Sequence, residues 1–336
     1  MAGSREFAVC AMTGGASVWT AAWHPGGERW EAAPSAVRLD RAFALAAHPR
    51  GSLYAVGLTR RGALHRLERD DRDPAAGFTV REAVALPGVE LPCRVRLDGH
   101  DRRLLVAGYG SGALAVVDLH DDGTLAGPPR TAMFAGRGPD PVRQDGPHAH
   151  DALALAEGIG VVDLGADVLR ILDGETLAAR EPLVLPPGSG PRHAVDLGSG
   201  RVAIAGELAS TLLLASLPER RVLDVLPATT RATAAPNTPS GVVHDAARGL
   251  VHLANRGADT ILTARVNGDR LTRLAEVPSG GVRPEHLALD GEHLFAVHSE
   301  DGAVVALRLR DGVPTGEVAA STRIPGAMWI EPLPRR

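Results

Sequence analysis

The sequence contains no lysine, only two cysteines and few aromatic residues, which make up 3% of its 336 positions. All 36 basic residues are therefore arginines, and 40 Asp and Glu residues outnumber them to give a net charge of −4. A charge balance of this kind offers no basic surface for nucleic acid. Cys10 and Cys93 are too few for a disulfide framework and lack the spacing of a metal site, which favours a reducing compartment.

Long apolar stretches are also missing. The first ten residues hold no apolar segment of signal-peptide length, and no run of about 18 apolar residues follows them. We therefore expect a cytoplasmic protein that does not bind membranes. Because 44% of the residues are hydrophobic, the chain can still bury a large core, and we expect one domain over residues 1–336.

Turn-forming residues are abundant, with 39 glycines and 25 prolines, so a bundle of long helices is improbable. A pattern of short apolar strands separated by turns recurs instead about seven times. Successive copies start about 44 to 55 residues apart, close to the ~40–50 residues of one propeller blade. The clearest copies begin at Phe43, Pro92, Pro147, Pro191, Pro239 and Pro284.

A seventh, weaker copy is divided between the two ends of the chain, with strands in residues 7–23 and one in residues 327–333. If the last strand completes the first blade, the ring closes and hides its edges. The sequence thus predicts an all-β fold, a seven-bladed β-propeller of four-stranded antiparallel blades whose C-terminal strand joins the N-terminal blade. The alternative is a β-sandwich or two stacked β domains, which accommodates six similar consecutive units poorly.

In such a blade, the loop before the innermost strand and the turn between the second and third strands lie at the same end. The unusual polar residues fall in these segments, so we expect a site around the central channel on one face. His148 and His150 are two residues apart and would point to one side of an extended chain. They could act as a general base, ligate a metal, or simply hydrogen-bond to neighbours.

Other charged residues occupy equivalent positions in successive blades. Arg and His open the next blade at Arg192 and His193, Glu207 stands at that blade's second turn, and Asn255 and Arg256 stand at the following one. Because a guanidinium binds carboxylate or phosphate and a carboxylate can orient an imidazole, this pattern indicates a site for a small anionic substrate. A surface position for Glu207 is the competing interpretation.

The turn between Asp163 and Asp167 has the composition of a tight hairpin, in which we expect Gly165 to supply a positive φ. The two aspartates either cap backbone amides or face the site. The sequence has no nucleophile elbow, Walker loop or Rossmann glycine motif in a suitable context, so any chemistry would be acid–base and electrostatic.

Between about residues 91 and 319, the chain resembles the lactonase family of seven-bladed propellers, which includes 6-phosphogluconolactonases and 3-carboxymuconate cyclases. The residues that carry the resemblance are Arg143, Gln144, Pro147, His148, His150, Asp163, Gly165, Asp167, Gly190, Pro191, Arg192, His193, Glu207, Asn255, Arg256 and Gly257. In the last blade, however, Pro284 is followed by Glu285 where the family has Pro-Arg.

The resemblance implies hydrolysis of a sugar lactone, most simply 6-phosphogluconolactone, without metal or cofactor. His148 or His150 would be the general base, Arg192 would polarise the carbonyl or hold the anion, and Glu207 would orient the base. The other residues expected to bind the substrate are Arg143, Asp163, Asp167, His193, Asn255 and Arg256. We expect a monomer whose partner is a small anionic lactone.

Two other functions remain open from the sequence. A muconate-type cycloisomerase would use the same arginines for two carboxylates and a histidine for proton transfer. A propeller without enzymatic activity would bind a small ligand or a protein on the same face.

Overall fold

The predicted repeats form seven four-stranded antiparallel sheets in the computed structural model, which describes residues 4–13, 15–70, 72–73 and 76–335. Residues 1–3, 14, 71, 74–75 and 336, which the predicted domain includes, lie outside the described residues. The predicted seven-bladed propeller is confirmed, and we number its blades 1 to 7 in chain order.

The strand bounds follow the predicted period. The first three blades contain β1 (Arg5–Ala11), β2 (Val18–His24), β3 (Arg29–Pro34), β4 (Ala42–Ala47), β5 (Leu53–Gly57), β6 (Ala63–Arg69), β7 (Phe78–Ala85), β8 (Pro92–Leu97), β9 (Arg103–Gly108), β10 (Ala113–Leu119) and β11 (Leu125–Met133). Blades 4 and 5 contain β12 (Ala149–Leu155), β13 (Gly158–Asp163), β14 (Val168–Leu172), β15 (Ala179–Val184), β16 (Pro191–Gly198), β17 (Arg201–Gly206), β18 (Thr211–Ser216) and β19 (Arg221–Pro227). Blades 6 and 7 contain β20 (Thr238–Asp245), β21 (Leu250–Arg256), β22 (Thr260–Asn267), β23 (Arg270–Pro278), β24 (Pro284–Leu289), β25 (His293–His298), β26 (Ala303–Arg310) and β27 (Val313–Arg323).

The last strand, β28 (Ala327–Pro332), closes the ring by pairing with β1, so blade 1 has the order β28-β1-β2-β3. Phe7 pairs with Pro332 and Cys10 with Trp329 in this sheet. The innermost strands β28, β4, β8, β12, β16, β20 and β24 contact one another in sequence around the central channel. Closure by the C-terminal strand is therefore as predicted.

Small aliphatic residues fill most of the space between blades, in keeping with the low aromatic content. The second strand of blade 2, Leu53–Gly57, is buried along its whole length because both of its faces pack against neighbouring blades. The few aromatic rings concentrate where the ring closes: Phe7 of blade 1 lies 4.7 Å from Phe295 of blade 7, and Trp30 lies 5.5 Å from the same ring. The large rings thus add contact area at the joint between the chain's two ends.

A β-bulge near the channel end of every innermost strand orients the site residues. In blade 5, Arg192 and His193 together lie opposite the single residue Ala205. The same shift of register occurs near the start of β4, β8, β12, β20 and β24, and between β28 and β1. Because a bulge breaks the alternation of side chains and redirects one of them, each blade can turn one residue toward the channel mouth.

The turn between the second and third strands is held against the loop before the innermost strand. In blade 5 the N–H of Glu207 donates to the carbonyl of Gly190 over 2.9 Å. The equivalent bonds in other blades join Met12 to Gly326, Leu58 to Arg41, Tyr109 to Leu91, Leu164 to His148 and Ser299 to Arg283. In these six blades, the bond holds the first residue of the turn next to the loop before the innermost strand.

One detail of the blade 4 turn differs from the prediction. Gly165 does not have a positive φ; Asp167 has it instead, at 53°. Glycine is required at position 165 by space, because a Cβ there would lie 1.9 Å from the carbonyl oxygen of Gly146.

Candidate active site

A pocket of about 640 Å³ opens at the channel mouth, on the face that the sequence predicted. Two rings of side chains line it. The bulge ring consists of the redirected residue of each of six blades: Met328, Phe43, Cys93, His150, Arg192 and Glu285. The turn ring consists of the residues at or just after the end of the second strand in six of the seven blades: Met12, Leu58, Tyr109, Glu207, Arg256 and Ser299. Leu91, Arg143 and two exposed arginines, Arg41 and Arg283, complete the lining.

Two arginines and two glutamates alternate in a closed ring of ion pairs, which we call the quartet. Glu207 lies 3.0 Å from Arg192 Nε and 2.9 Å from Arg256 Nη2. Glu285 contacts Arg256 Nη1 at 3.3 Å and Arg192 Nη2. Since only 2% of Arg192 and 3% of Glu207 are exposed, these charges are compensated by one another rather than by water.

Arg143 adds one positive charge at the edge of the quartet. Its Nη2 lies 2.8 Å from Glu207, its Nε donates to the Tyr109 hydroxyl over 3.4 Å, and 38% of the side chain is exposed. Burial alone would raise the pKa of Glu207, but the charges of Arg256 and Arg192 outweigh it and hold that pKa at about 2. Glu207 is therefore ionised at neutral pH, and Arg143 is the arginine of this cluster most open to a ligand.

His150 of the bulge ring lies between Tyr109 and His193, at ring-centroid distances of 5.4 and 5.3 Å. Burial, reinforced by the positive charge of Arg192, holds its pKa well below the usual range. The imidazole is therefore neutral at pH 7 and has a lone pair that can accept a proton.

Cys93 is the neighbour of His150 in the bulge ring, with Sγ 3.7 Å from Nδ1. The thiol also faces the carbonyl oxygens of Ala107, Ala149 and His150 at 3.5–3.7 Å. Burial raises the pKa of Cys93 to about 12, so the thiol remains protonated at neutral pH. Because the thiolate is the nucleophilic form, this pair differs from an activated cysteine–histidine pair.

His148, the second histidine that the sequence proposed as a base, does not line the pocket. Its ring stacks on Tyr109 at 4.5 Å, and its nitrogens face the Tyr109 carbonyl at 2.9 Å and Asp145 at 3.0 Å. The expectation that both histidines share one side is wrong because the bulge at His150 breaks the alternation between them.

Three predicted substrate-binding residues hold turns together instead of lining the pocket. Asp163 accepts the N–H groups of His148 and Gly165 and pairs with Arg170. Asp167 accepts the N–H groups of two glycines and the hydroxyl of a serine in the loop before β16: Gly188, Gly190 and Ser189. Asn255 donates to the carbonyl of Ala228 and to Thr260, and accepts from Asn237.

His193 is buried in the central channel and does not line the pocket. Its ring lies 6.1 Å from Trp329, over which the guanidinium of Arg94 lies at 4.1 Å. Burial and the positive charges of Arg192 and Arg94 keep the pKa of His193 well below its usual range. Of the predicted residues, the structure thus brings together Arg143, His150, Arg192, Glu207 and Arg256.

Glu285 and Tyr109 also line this pocket, although neither was among the residues predicted to act on or bind the substrate. Glu285 occupies the same bulge position as Arg192. Aligning the residue after the blade-opening proline in each repeat would have identified Cys93, Arg192 and Glu285 as one ring.

Acidification is expected to destabilise the fold because several buried histidines are held neutral. Burial lowers the pKa of His65, His150, His193, His252, His286 and His298. As pH falls below about 6.5, these histidines bind protons in the unfolded chain but remain neutral in the folded chain. The free energy of unfolding therefore decreases by up to about 1.4 kcal/mol per pH unit for each such histidine. Glu331 acts with the opposite sign, because burial raises its pKa.

Urea unfolding at pH 7.5, 6.5 and 5.5 checks this expectation. The unfolding midpoint should be highest at pH 7.5 and decrease between pH 6.5 and 5.5. A midpoint that is constant over this range would contradict the neutral state of these histidines.

Among the described residues, no group of three or more His, Cys, Asp or Glu side chains is placed to hold a metal ion. The same part of the chain contains no helix that is long and apolar enough to cross a membrane.

Comparison with known proteins gives concordant matches. A family model described as "Lactonase, 7-bladed beta-propeller" matches residues 10–332. The 6-phosphogluconolactonase of Bacillus subtilis is 30% identical over 235 residues, which are 62% of this chain and 63% of that protein. A probable 6-phosphogluconolactonase of Arthroderma benhamiae is 30% identical over 262 residues, covering 68% of this chain and 66% of that protein. The match thus spans just under two thirds of the length of either relative.

The fold is shared with solved structures of lower sequence identity. The periplasmic gluconolactonase of Pseudomonas aeruginosa superposes with a TM-score of 0.86 over 98% of both chains, at 17% identity. At that level of identity the likeness concerns the fold, and the site has to be judged from its own residues.

Proposed function

The chain belongs to the lactonase family of seven-bladed β-propellers, and from this premise we propose that it hydrolyses the ring ester of a lactone in the pocket formed by the bulge and turn rings. The observation that carries the proposal is a neutral, buried His150 that lines the same pocket as Arg143 and the quartet. A base, a positive charge and a concave site are the parts that such a reaction requires.

In the proposed reaction, Nε2 of His150 takes a proton from a water molecule, and the water oxygen forms a bond to the lactone carbonyl carbon. The carbonyl oxygen becomes an oxyanion, which Arg143 stabilises with its exposed guanidinium. When the intermediate collapses, the bond from the carbonyl carbon to the ring oxygen breaks, and the ring oxygen receives the proton from His150. The product is an open-chain hydroxy acid.

The quartet does not contact the reacting atoms in this reaction; it positions Arg143 and influences the charge state of His150. Arg192 already contacts Glu207, Glu285 and His193, so we assign it to positioning and not to direct contact with the carbonyl. Its charge also keeps His150 neutral. Glu207 holds Arg143 in place through the 2.8 Å contact and does not orient the imidazole by a hydrogen bond.

For the substrate, 6-phosphogluconolactone is the reference compound, because the two curated relatives carry that name. We further propose a metal-independent reaction and a monomeric, cytoplasmic protein of one propeller domain. The placement of His150 and Arg143 supports acid–base and electrostatic catalysis.

A pH-stat assay with freshly prepared lactones, glucono-δ-lactone and 6-phosphogluconolactone among them, tests the proposed function. We expect at least one lactone to be hydrolysed well above its spontaneous rate, and the rate to persist in EDTA. Binding of lactone without product formation would favour a non-enzymatic propeller. Loss of cis,cis-muconate absorbance without any lactone hydrolysis would instead indicate a cycloisomerase.

A further inference from the structure

The pocket is divided into an apolar half and a charged half. Besides Cys93, Tyr109 and the exposed Arg41, blades 1 to 3 contribute the apolar side chains Met12, Phe43, Leu58, Leu91 and Met328. Blades 4 to 7 contribute His150, Arg192, Glu207, Arg256 and Glu285. Both rings show this division. The bulge ring changes from apolar to polar side chains at His150 of blade 4, and the turn ring changes at Tyr109 of blade 3.

The apolar half suits a substituent that is itself apolar. A sugar lactone carries hydroxyl groups around its whole ring, and those that face Phe43 and Leu58 would lose water without gaining a hydrogen-bond partner. An alkyl or aryl group on the lactone ring would instead remove its own apolar surface and that of these side chains from water.

The charged half has little positive charge to offer. Within the quartet, each guanidinium contacts both carboxylates, so the two positive and two negative charges balance. Among the described residues that line the pocket, Arg143 is the one additional buried or half-buried arginine, and Arg41 and Arg283 are exposed at the mouth, where solvent and salt screen them. A phosphate dianion placed against the quartet would meet Glu207 and Glu285 as well as the arginines.

We propose that the site selects a lactone whose ring carries an apolar substituent and no more than one negative charge. This inference rests on the proposed lactonase activity and assigns its substrate class. The lactone group lies between His150 and Arg143, and the substituent lies against blades 1 to 3.

A series of δ-lactones tests the proposal by pH-stat: δ-valerolactone, δ-octalactone, δ-decalactone, glucono-δ-lactone and 6-phosphogluconolactone. We expect kcat/KM to increase at least about tenfold from the unsubstituted to the pentyl-substituted ring, since added methylenes are discriminated by this much in apolar pockets. The two sugar lactones should be the poorer substrates.

Leu58→Asn tests the assigned position of the substituent. The ratio of kcat/KM for δ-decalactone to that for δ-valerolactone should decrease at least about fivefold, because the substitution places an amide in the apolar half. Val142→Asn is the matched control, since Val142 is 77% exposed and lies outside the pocket lining. It should leave that ratio as in the parent, and circular dichroism should show that both variants are folded.

The outcomes separate the substrate class from the activity. Preferential hydrolysis of 6-phosphogluconolactone or glucono-δ-lactone would overturn the substrate class and leave the lactonase activity standing. An unchanged ratio in folded Leu58→Asn would overturn the position assigned to the substituent. If none of the five lactones is hydrolysed, the proposed function and this inference both fail.

Discussion

Replacing Arg192 by methionine is expected to lower the free energy of unfolding by about 3–5 kcal/mol, the cost of removing one partner from a buried ion pair. The side chain is 2% exposed and contacts both carboxylates of the quartet. Without Arg192, Glu285 is paired with Arg256, and Glu207 is paired with Arg256 and the half-exposed Arg143. Two buried carboxylates would then lack full compensation, which is the source of the loss.

Two further variants show whether the loss arises from the quartet. Arg143→Met removes a half-exposed partner and leaves Glu207 paired with Arg192 and Arg256 in the complete quartet, so its cost should be about 1 kcal/mol or less. Adding Glu285→Gln to Arg192→Met should recover part of the stability, because one of the stranded carboxylates is then neutral. Urea unfolding measures all three variants, and equal losses for Arg192→Met and Arg143→Met would contradict this account.

Much of the fold could be predicted because it repeats. Glycine and proline divide the chain into strands of similar length, and six units in sequence have the period of a blade. The closing strand was predictable too, since residues 327–333 would otherwise have remained an unpaired strand. The packing of both faces of each blade explains why uninterrupted apolar strands such as Leu53–Gly57 recur.

The site was less predictable because the bulges determine which side chains face the pocket. Alternation places Arg192 and His193 on opposite sides of a strand but does not decide which one faces the channel mouth. The bulge turns Arg192 into the pocket and leaves His193 in the channel. A register shift depends on the pairing of two strands, so one strand's sequence does not show it.

Polar turn residues were the second difficulty. Asp163 and Asn255 have the chemistry of ligand-binding residues, but both satisfy backbone groups of their own turn or of an adjoining loop. In a propeller, the same end of the fold needs capped turns and carries the pocket, so composition alone separates the two roles poorly. Glu285 illustrates the opposite error, a site residue that was not predicted. Its role depends on its ion pairs with Arg192 and Arg256, which come from two other blades.

The second large predicted effect concerns kcat and depends on which histidine, His148 or His150, is the general base. We expect His150→Gln to lower kcat for the best lactone by about 10²–10⁴-fold, the usual contribution of a general base. His148→Gln should change kcat by no more than about threefold, far less than the loss of a general base, because His148 faces Tyr109 and Asp145 and does not line the pocket. Initial rates at saturating lactone, corrected for spontaneous hydrolysis, measure both variants.

The pH profile distinguishes a base from a residue that only shapes the pocket. Since burial and Arg192 keep the pKa of His150 well below its usual range, the enzyme-dependent rate should show no inflection near pH 6.5. A base is active when unprotonated, so the rate should decrease only at more acidic pH, as His150 begins to bind a proton. An inflection near pH 6.5 would contradict the assignment of His150, whose pKa is lowered, as the base. If neither substitution lowers kcat, neither histidine is the base, and the quartet with Arg143 would have to supply the catalysis by electrostatic stabilisation.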